Sequence, residues 1–361
     1  MSEANHILSP DTQAVLLLCA SFEQKTHSGL RPLTVTQYNR LATWLREQEL
    51  RPGDLLCPEG AERLRQSIDQ IKEADQALVL LERGVAQAMA VENWSRQGLW
   101  VLSRSDVDYP NRFKDRLKQS SPPILFGSGN KELLARGGLA VIGSRHAQAT
   151  ALEFTREIGR RCAEEDIQVI SGGAKGIDQE AMLAALAQDG KVVGILSDNL
   201  GRAVVSGKYR QAIREGRLVL ISACIPEARF HIGHAMARNK LIYTLSDWAL
   251  VVSAETDKGG TWAGARENLK YNWVPLLVRD GTDVPPSNKK LIQEGGCSLD
   301  EAEVRHRRED LRTLLQQTCR NRGAAAGEAV ESGPPAEKVK KLSGSERQVT
   351  PKLRQRSLLD E

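Results

Sequence analysis

From Leu139 onward, short apolar runs alternate with amphipathic stretches: "LAVIGSR", "TALEFTREIGRRCAEE", "IQVISGG", "DQEAMLAALAQDG" and "KVVGILS", then "GKYRQAIREG", "RLVLIS", "MARNKLIYTLS", "WALVVSA", "TWAGARENLKY" and "VPLLVR". A strand that is apolar at every position must be covered on both faces, because its side chains point alternately to either side. Glycine bounds each run and a helix follows it, which is the pattern of βα units in a parallel sheet. About six such units predict a doubly wound, Rossmann-like α/β domain with a mostly parallel sheet.

The rest of the chain reads differently. "SPDTQAVLLLCASFEQ" opens on a Ser-Pro-Asp start signal, and two further stretches before residue 97 repeat apolar residues at helical spacing. Residues 1–97 are therefore expected to be a small all-helical domain. "LWVLSRSDVDYPNRFKDRL" and "SPPILFGSGN" add two short strands around a helix, so the α/β domain is placed at 98–300. Beyond it, "RHRREDLRTLLQQTCRNR" offers one more helix, and the remainder is rich in Gly, Pro, Ser and charge. Residues 301–361 are expected to form a charged, largely disordered tail.

Composition narrows the function classes. A net charge of +4 permits a polyanionic partner without requiring one. Aromatic residues make up 4% of the chain, too few for a base-stacking sheet of the kind common in RNA-binding modules. The six cysteines are scattered with no C-x-x-C pair, which points to reduced thiols and neither a metal site nor a disulfide framework. "MSEANHILSPD" lacks the basic and apolar regions of a signal peptide, and "AVLLLCA" is too short to cross a bilayer. A cytoplasmic protein with no membrane partner is expected.

Ligands of an open parallel sheet bind beyond the carboxyl ends of its strands, so the loops there carry the functional signal. Gly143-Ser144-Arg145 follows the first apolar run: glycine lets the backbone approach a ligand, serine can donate, and arginine can fork onto a phosphate. "SGGAKGID" follows the next, with Ser171, Gly172, Gly173, Lys175 and Gly176 ahead of a helix whose positive end favours an anion. It is neither a P-loop nor G-x-G-x-x-G. Asp178 is read as a cap or orienting group. Arg238-Asn239-Lys240 heads a third turn, and Lys258-Gly259-Gly260-Thr261 a fourth. Arg145, Lys175, Arg238, Lys240 and Lys258, with Arg266 as a further candidate, would then line one rim, a set suited to a chain of phosphates.

In order and spacing, "GSR", "SGGAKGID", "ARNKLI" and "KGGTWAGA" resemble the DNA-processing protein A (DprA/Smf) family, and the likeness runs from about residue 98 to 280. The resemblance implies a non-enzymatic protein that grips single-stranded DNA on an extended Rossmann fold, forms a homodimer and helps load a RecA-type recombinase. It implies contacts from Ser144, Arg145, Gly172, Gly173, Lys175, Arg238 and Lys240, with Lys258 and Thr261 as weaker transfers. The chain departs from the family where Lys175 and Lys240 stand in place of arginine, where Met182 replaces histidine, and where "NLGRAVVSGKYRQAI" replaces a Tyr-Pro segment. Residues 301–361 look too short and polar for the family's winged helix. A role in a defence or toxin–antitoxin locus, with a partner enzyme encoded nearby, is therefore a further expectation.

Two alternatives compete. "HIGH" at His231–His234 and "KLSGS" at Lys341–Ser345 imitate the signatures of class I aminoacyl-tRNA synthetases. The first lies after three or four strands rather than on the opening turn of the fold, so the match is coincidental. The two histidines lack further ligands for a metal site and are expected to line the basic loop. A nucleotide-binding enzyme or sensor is the second alternative, with Asp178, Glu180 and Glu255 as the nearby carboxylates. No catalytic residue, metal or cofactor is expected.

Overall fold

A computed structural model describes residues 8–22, 31–255, 259–306 and 308–320. Nine strands form one sheet: β1 Trp100–Ser103, β2 Ile124–Gly129, β3 Leu139–Gly143, β4 Val169–Ser171, β5 Val192–Leu196, β6 Leu218–Ser222, β7 Trp248–Ser253, β8 Leu276–Asp280 and β9 Cys297–Asp300. Their order is β1-β2-β6-β5-β4-β3-β7-β8-β9. Every pairing from β6 to β9 along that order is parallel, while β1 with β2 and β2 with β6 are antiparallel. The winding reverses between β3 and β7, which pair through Leu139–Trp248, Ala140–Ala249 and their successors. The doubly wound, mostly parallel α/β fold read from the apolar runs is the one observed.

Burial on both faces explains those runs. Leu139, Val141, Val169, Val192 and Leu218 belong to one core, and their neighbours Ala140, Ile142, Ile170, Val193 and Val219 to the other. β9 escaped the sequence reading because, as an edge strand, it alternates buried and exposed residues and offers only Cys297 and Leu299 to the core.

The helices before β1 pack on the first face. Trp94, from helix Gly84–Arg96, meets Phe126 of β2 edge-on at 5.1 Å, and its indole N–H donates to Glu227 Oε1 at 2.7 Å. Near helix Pro10–Cys19, Thr12 Oγ1 donates to Asp106 Oδ2 at 2.6 Å, and Asp11 Oδ1 accepts from the Gly53 N–H at 2.9 Å. Among the described residues, these helices and the sheet belong to one compact unit. Of the segment expected as a tail, residues 301–306 and 308–320 are described. Val304, Leu311 and Leu315 are buried there, and Arg161 Nη1 donates to Val304 O at 3.0 Å. Residues 321–361, with "KLSGS", lie outside the described residues.

Candidate functional site

The carboxyl ends of β3, β4 and β5 enclose a cavity of about 450 Å³. Arg145 enters from the turn after β3, Gly172 to Lys175 from the turn after β4, and Arg238 from helix Ile232–Leu245. Two further cations, Arg202 and Lys208, come from the segment after β5, and Phe230 from the loop after β6. Arg145, Lys175, Arg202 and Lys208 are exposed, and among the described residues no carboxylate pairs with them. The one acid on the wall, Asp198, is already engaged by Ser197 Oγ at 2.8 Å and Asn199 Nδ2 at 2.6 Å. The Arg145 guanidinium lies 5.3 Å from the centre of the half-exposed Phe230 ring.

The β4 turn is glycine-rich for two separate reasons. Gly173 and Gly176 have φ of +65° and +92°, a region that a side chain resists. Gly172 has a different constraint: a Cβ there would fall inside the guanidinium of Arg238 and 2.5 Å from Asp178 Oδ2. No backbone acceptor among the described residues takes the N–H of Gly173, Ala174 or Lys175. The following helix, Ile177–Leu186, keeps part of its first turn for itself, because Ile177 N–H donates to Ser144 O and Gln179 N–H to Ala174 O. Beside the cavity, the loop amides are therefore left without a backbone partner, while part of the helix end is already engaged.

Arg238 and Asp178 form a buried pair beneath this turn, 6% and 4% exposed, with Nη1 3.6 Å from Oδ2. Burial pushes the Asp178 carboxyl up from its ordinary range, and the Arg238 charge and the N–H groups of Gly143 and Gly172 pull it back. Desolvation likewise lowers the pKa of Arg238, with Asp178 opposing it. Nε and Nη1 of Arg238 have no hydrogen-bond partner. Asp178 thus contacts both the loop amides and the arginine beneath them.

Five of the residues singled out in the sequence line this cavity: Arg145, Gly172, Gly173, Lys175 and Arg238. Gly176 lies behind Arg145, and the amide of Gly143 is held by Asp178 Oδ1 at 3.3 Å. Ser144 Oγ turns toward β7 and donates to Glu255 Oε1 at 3.2 Å. Ser171 Oγ is fully buried on Val141 O at 2.6 Å. Successive helical residues diverge by about 100°, which separates Arg238-Asn239-Lys240. Asn239 Nδ2 donates to Gly260 O at 2.9 Å, and Lys240 lines a different, larger cavity. Gly259, Gly260 and Thr261 begin helix Gly259–Tyr271, away from the basic cavity, and Lys258 lies outside the described residues. Arg266 pairs with Glu294 at 2.9 Å.

His231 caps its helix, Nδ1 accepting from the Gly233 N–H at 3.1 Å, and His234 faces the larger cavity, so neither lines the basic one. Among the described residues no group of three metal-ligating side chains occurs, and no helix is long and apolar enough to cross a membrane. Arg202, Lys208 and Phe230 were missed by sequence reasoning. They arise in segments without the strand–glycine–helix signature.

A parallel sheet that opens loop amides and cations at its carboxyl edge defines a Rossmann-like α/β protein. The family model described as DNA recombination-mediator protein A matches residues 100–304, over half of the chain, and the chain belongs to that family. It is 24% identical over 214 residues to the DNA processing protein DprA of Bacillus subtilis, covering 58% of this chain and 71% of the relative. To the DNA processing protein DprA of Streptococcus pneumoniae it is 29% identical over 180 residues, covering 48% of this chain and 62% of the relative. The X-ray structure of DNA processing protein A from Streptococcus pneumoniae shares the fold, with a TM-score of 0.62 at 19% identity over 84% of this chain and 99% of that one.

Proposed function

We propose that this chain binds single-stranded DNA without cleaving it, holding consecutive phosphates in the basic cavity. The observation that carries the reading is the convergence of Arg145, Lys175, Arg202, Lys208 and Arg238 on one cavity beside open loop amides. Single strands fit better than duplex because the cations sit in a concavity at the sheet edge, where a flexible backbone can bend in. The nearby carboxylates support binding over catalysis. Asp178 is buried against Arg238, Glu180 pairs with Arg156 at 2.8 Å, and Glu255 accepts from Ser144. None of these three lines the cavity, and Asp198, which does, accepts from Ser197 and Asn199.

The family points to use in recombination, where a bound strand is passed to a RecA-type recombinase by a homodimer. A regulatory role in a defence or toxin–antitoxin locus is the competing use. Strand exchange stimulated by this protein supports the first, and stable co-purification with an enzyme encoded nearby supports the second. Gel-shift measurements with single and double strands at two salt concentrations test binding itself. Affinity for single strands falls steeply with salt, because each neutralised phosphate releases counterions. Salt-insensitive binding, or binding unchanged in an Arg145→Ala, Lys175→Ala double variant, refutes the proposal.

A further inference from the structure

A second cavity, about 1000 Å³, adjoins the basic one and shares Leu196, Ser197 and Arg238 with it. That volume is at the upper end for pockets that take organic ligands. Its character is opposite: Ile124 and Phe126 of β2, Leu196 of β5, Ile225 after β6 and Leu241 of helix Ile232–Leu245 make it largely apolar. The remaining wall comes from the N-terminal helices, through Cys19, Pro32, Leu33 and Val35. That wall is firmly built. Leu33 N–H donates to Leu18 O at 2.8 Å, and Thr34 and Gln37 cap helix Val35–Glu47 reciprocally. Cations also line it, the exposed Arg229 and half-buried Lys240 with the buried Arg238, and Glu227 is taken by Trp94.

An apolar chamber beside a cationic one, with three lining residues in common, matches the two halves of a nucleotide, a flat base with an apolar face and a phosphate. We infer that the chamber receives bases of the same strand whose phosphates occupy the basic cavity, and that the N-terminal helices form one wall of the nucleic-acid site. This rests on the single-strand reading above. It assigns the helical segment, which lies outside the stretch matched by the family, a direct part in binding. Arg238, ion-paired with Asp178, is buried on the boundary that the two chambers share, and its Nε and Nη1 make no hydrogen bond there.

The test compares an oligothymidylate with an abasic oligomer of equal length, which keeps the phosphates and lacks the bases. The native chain is expected to prefer the thymidylate by at least about tenfold, since each sheltered base adds to affinity. Ala237→Trp and Val35→Trp fill the chamber from opposite walls. Both positions are exposed, so the new ring needs no rearranged core. Each variant, once its melting temperature matches that of the native chain, is expected to lose most of the preference while binding the abasic oligomer unchanged. Preference retained in full by either folded variant overturns the inference. So does thymidine monophosphate competing as well as the oligomer at equal nucleotide concentration, which would make the chamber a site for a free nucleotide. Failure of the native chain to bind either oligomer refutes the single-strand reading instead, and is distinguishable from both.

Discussion

Replacing Gly172 by alanine probes the pair beneath the β4 turn. The added methyl falls within the Arg238 guanidinium, which is backed by Asp178 and has little room to move. Forcing an extra carbon into a packed interior costs about 1–3 kcal/mol. Pushing Arg238 aside also strips Asp178 of its cation, and a buried charge left unpaired costs about 3–5 kcal/mol. The Gly143 amide still serves that carboxyl, and burial already favours its protonated form. We therefore expect Gly172→Ala to lose about 2–4 kcal/mol, from partial overlap of the two penalties. Arg238→Ala alone should lose about 3–4 kcal/mol by unpairing Asp178. In the double variant the methyl enters space already vacated, so the total stays near that of Arg238→Ala. The implied coupling is at least about 2 kcal/mol, within the range for residues in contact. Urea denaturation of the four proteins reads it directly, with m-values checked for constancy. Additive losses, equal to the sum within about 0.5 kcal/mol, would refute the account of why glycine is required here. Gly173→Ala is the control: it carries the cost of a left-handed φ of +65°, about 1 kcal/mol, and a 2.8 Å approach of its Cβ to Leu196 Cδ2, and it should not couple to Arg238, which that Cβ does not reach.

Other outcomes follow from the same geometry. Arg202→Ala and Lys208→Ala should each flatten the salt dependence of single-strand binding by roughly one unit of slope, read from affinities at several salt concentrations. Ser144→Ala should leave affinity within about twofold, since the hydroxyl turns to Glu255 and not to the cavity; titration by fluorescence anisotropy checks this. Asp166 accepts from Lys191 Nζ at 2.7 Å and Arg136 Nη2 at 2.8 Å, and these bonds, the lysine's foremost, hold its pKa below the ordinary 3.8. Its contribution to stability is therefore present above that value and lost as pH falls through the lower, folded-state one. Asp166→Asn should melt below the native chain at pH 7 and converge with it only as pH falls below the folded-state pKa, with a small, salt-sensitive gap because the site is exposed.

What the sequence disclosed depended on how each feature is encoded. The central strands were legible because burial on both faces demands apolar residues at consecutive positions, and Leu139–Ile142 or Leu218–Ile221 allow no other reading. β9 carries half that demand and was invisible. Within the site, Gly172, Gly173, Lys175 and Arg145 were found through loop composition, since glycine marks backbone needs that only glycine meets. Side-chain direction was not encoded in this way. Ser144 and Ser171 sit in the expected loops but point into the protein, to Glu255 and Val141. Lys240 follows Arg238 by two residues and serves another cavity because helical geometry turns it away. Arg202, Lys208 and Phe230 gather only once the segments after β5 and β6 fold over the sheet edge.

The three neighbours Arg238, Asn239 and Lys240 tie one helix to the basic turn, to helix Gly259–Tyr271 and to the chamber beside the N-terminal helices. All three anchor points sit on consecutive residues of one helix, so a substitution at any of them falls on an element that the other two share.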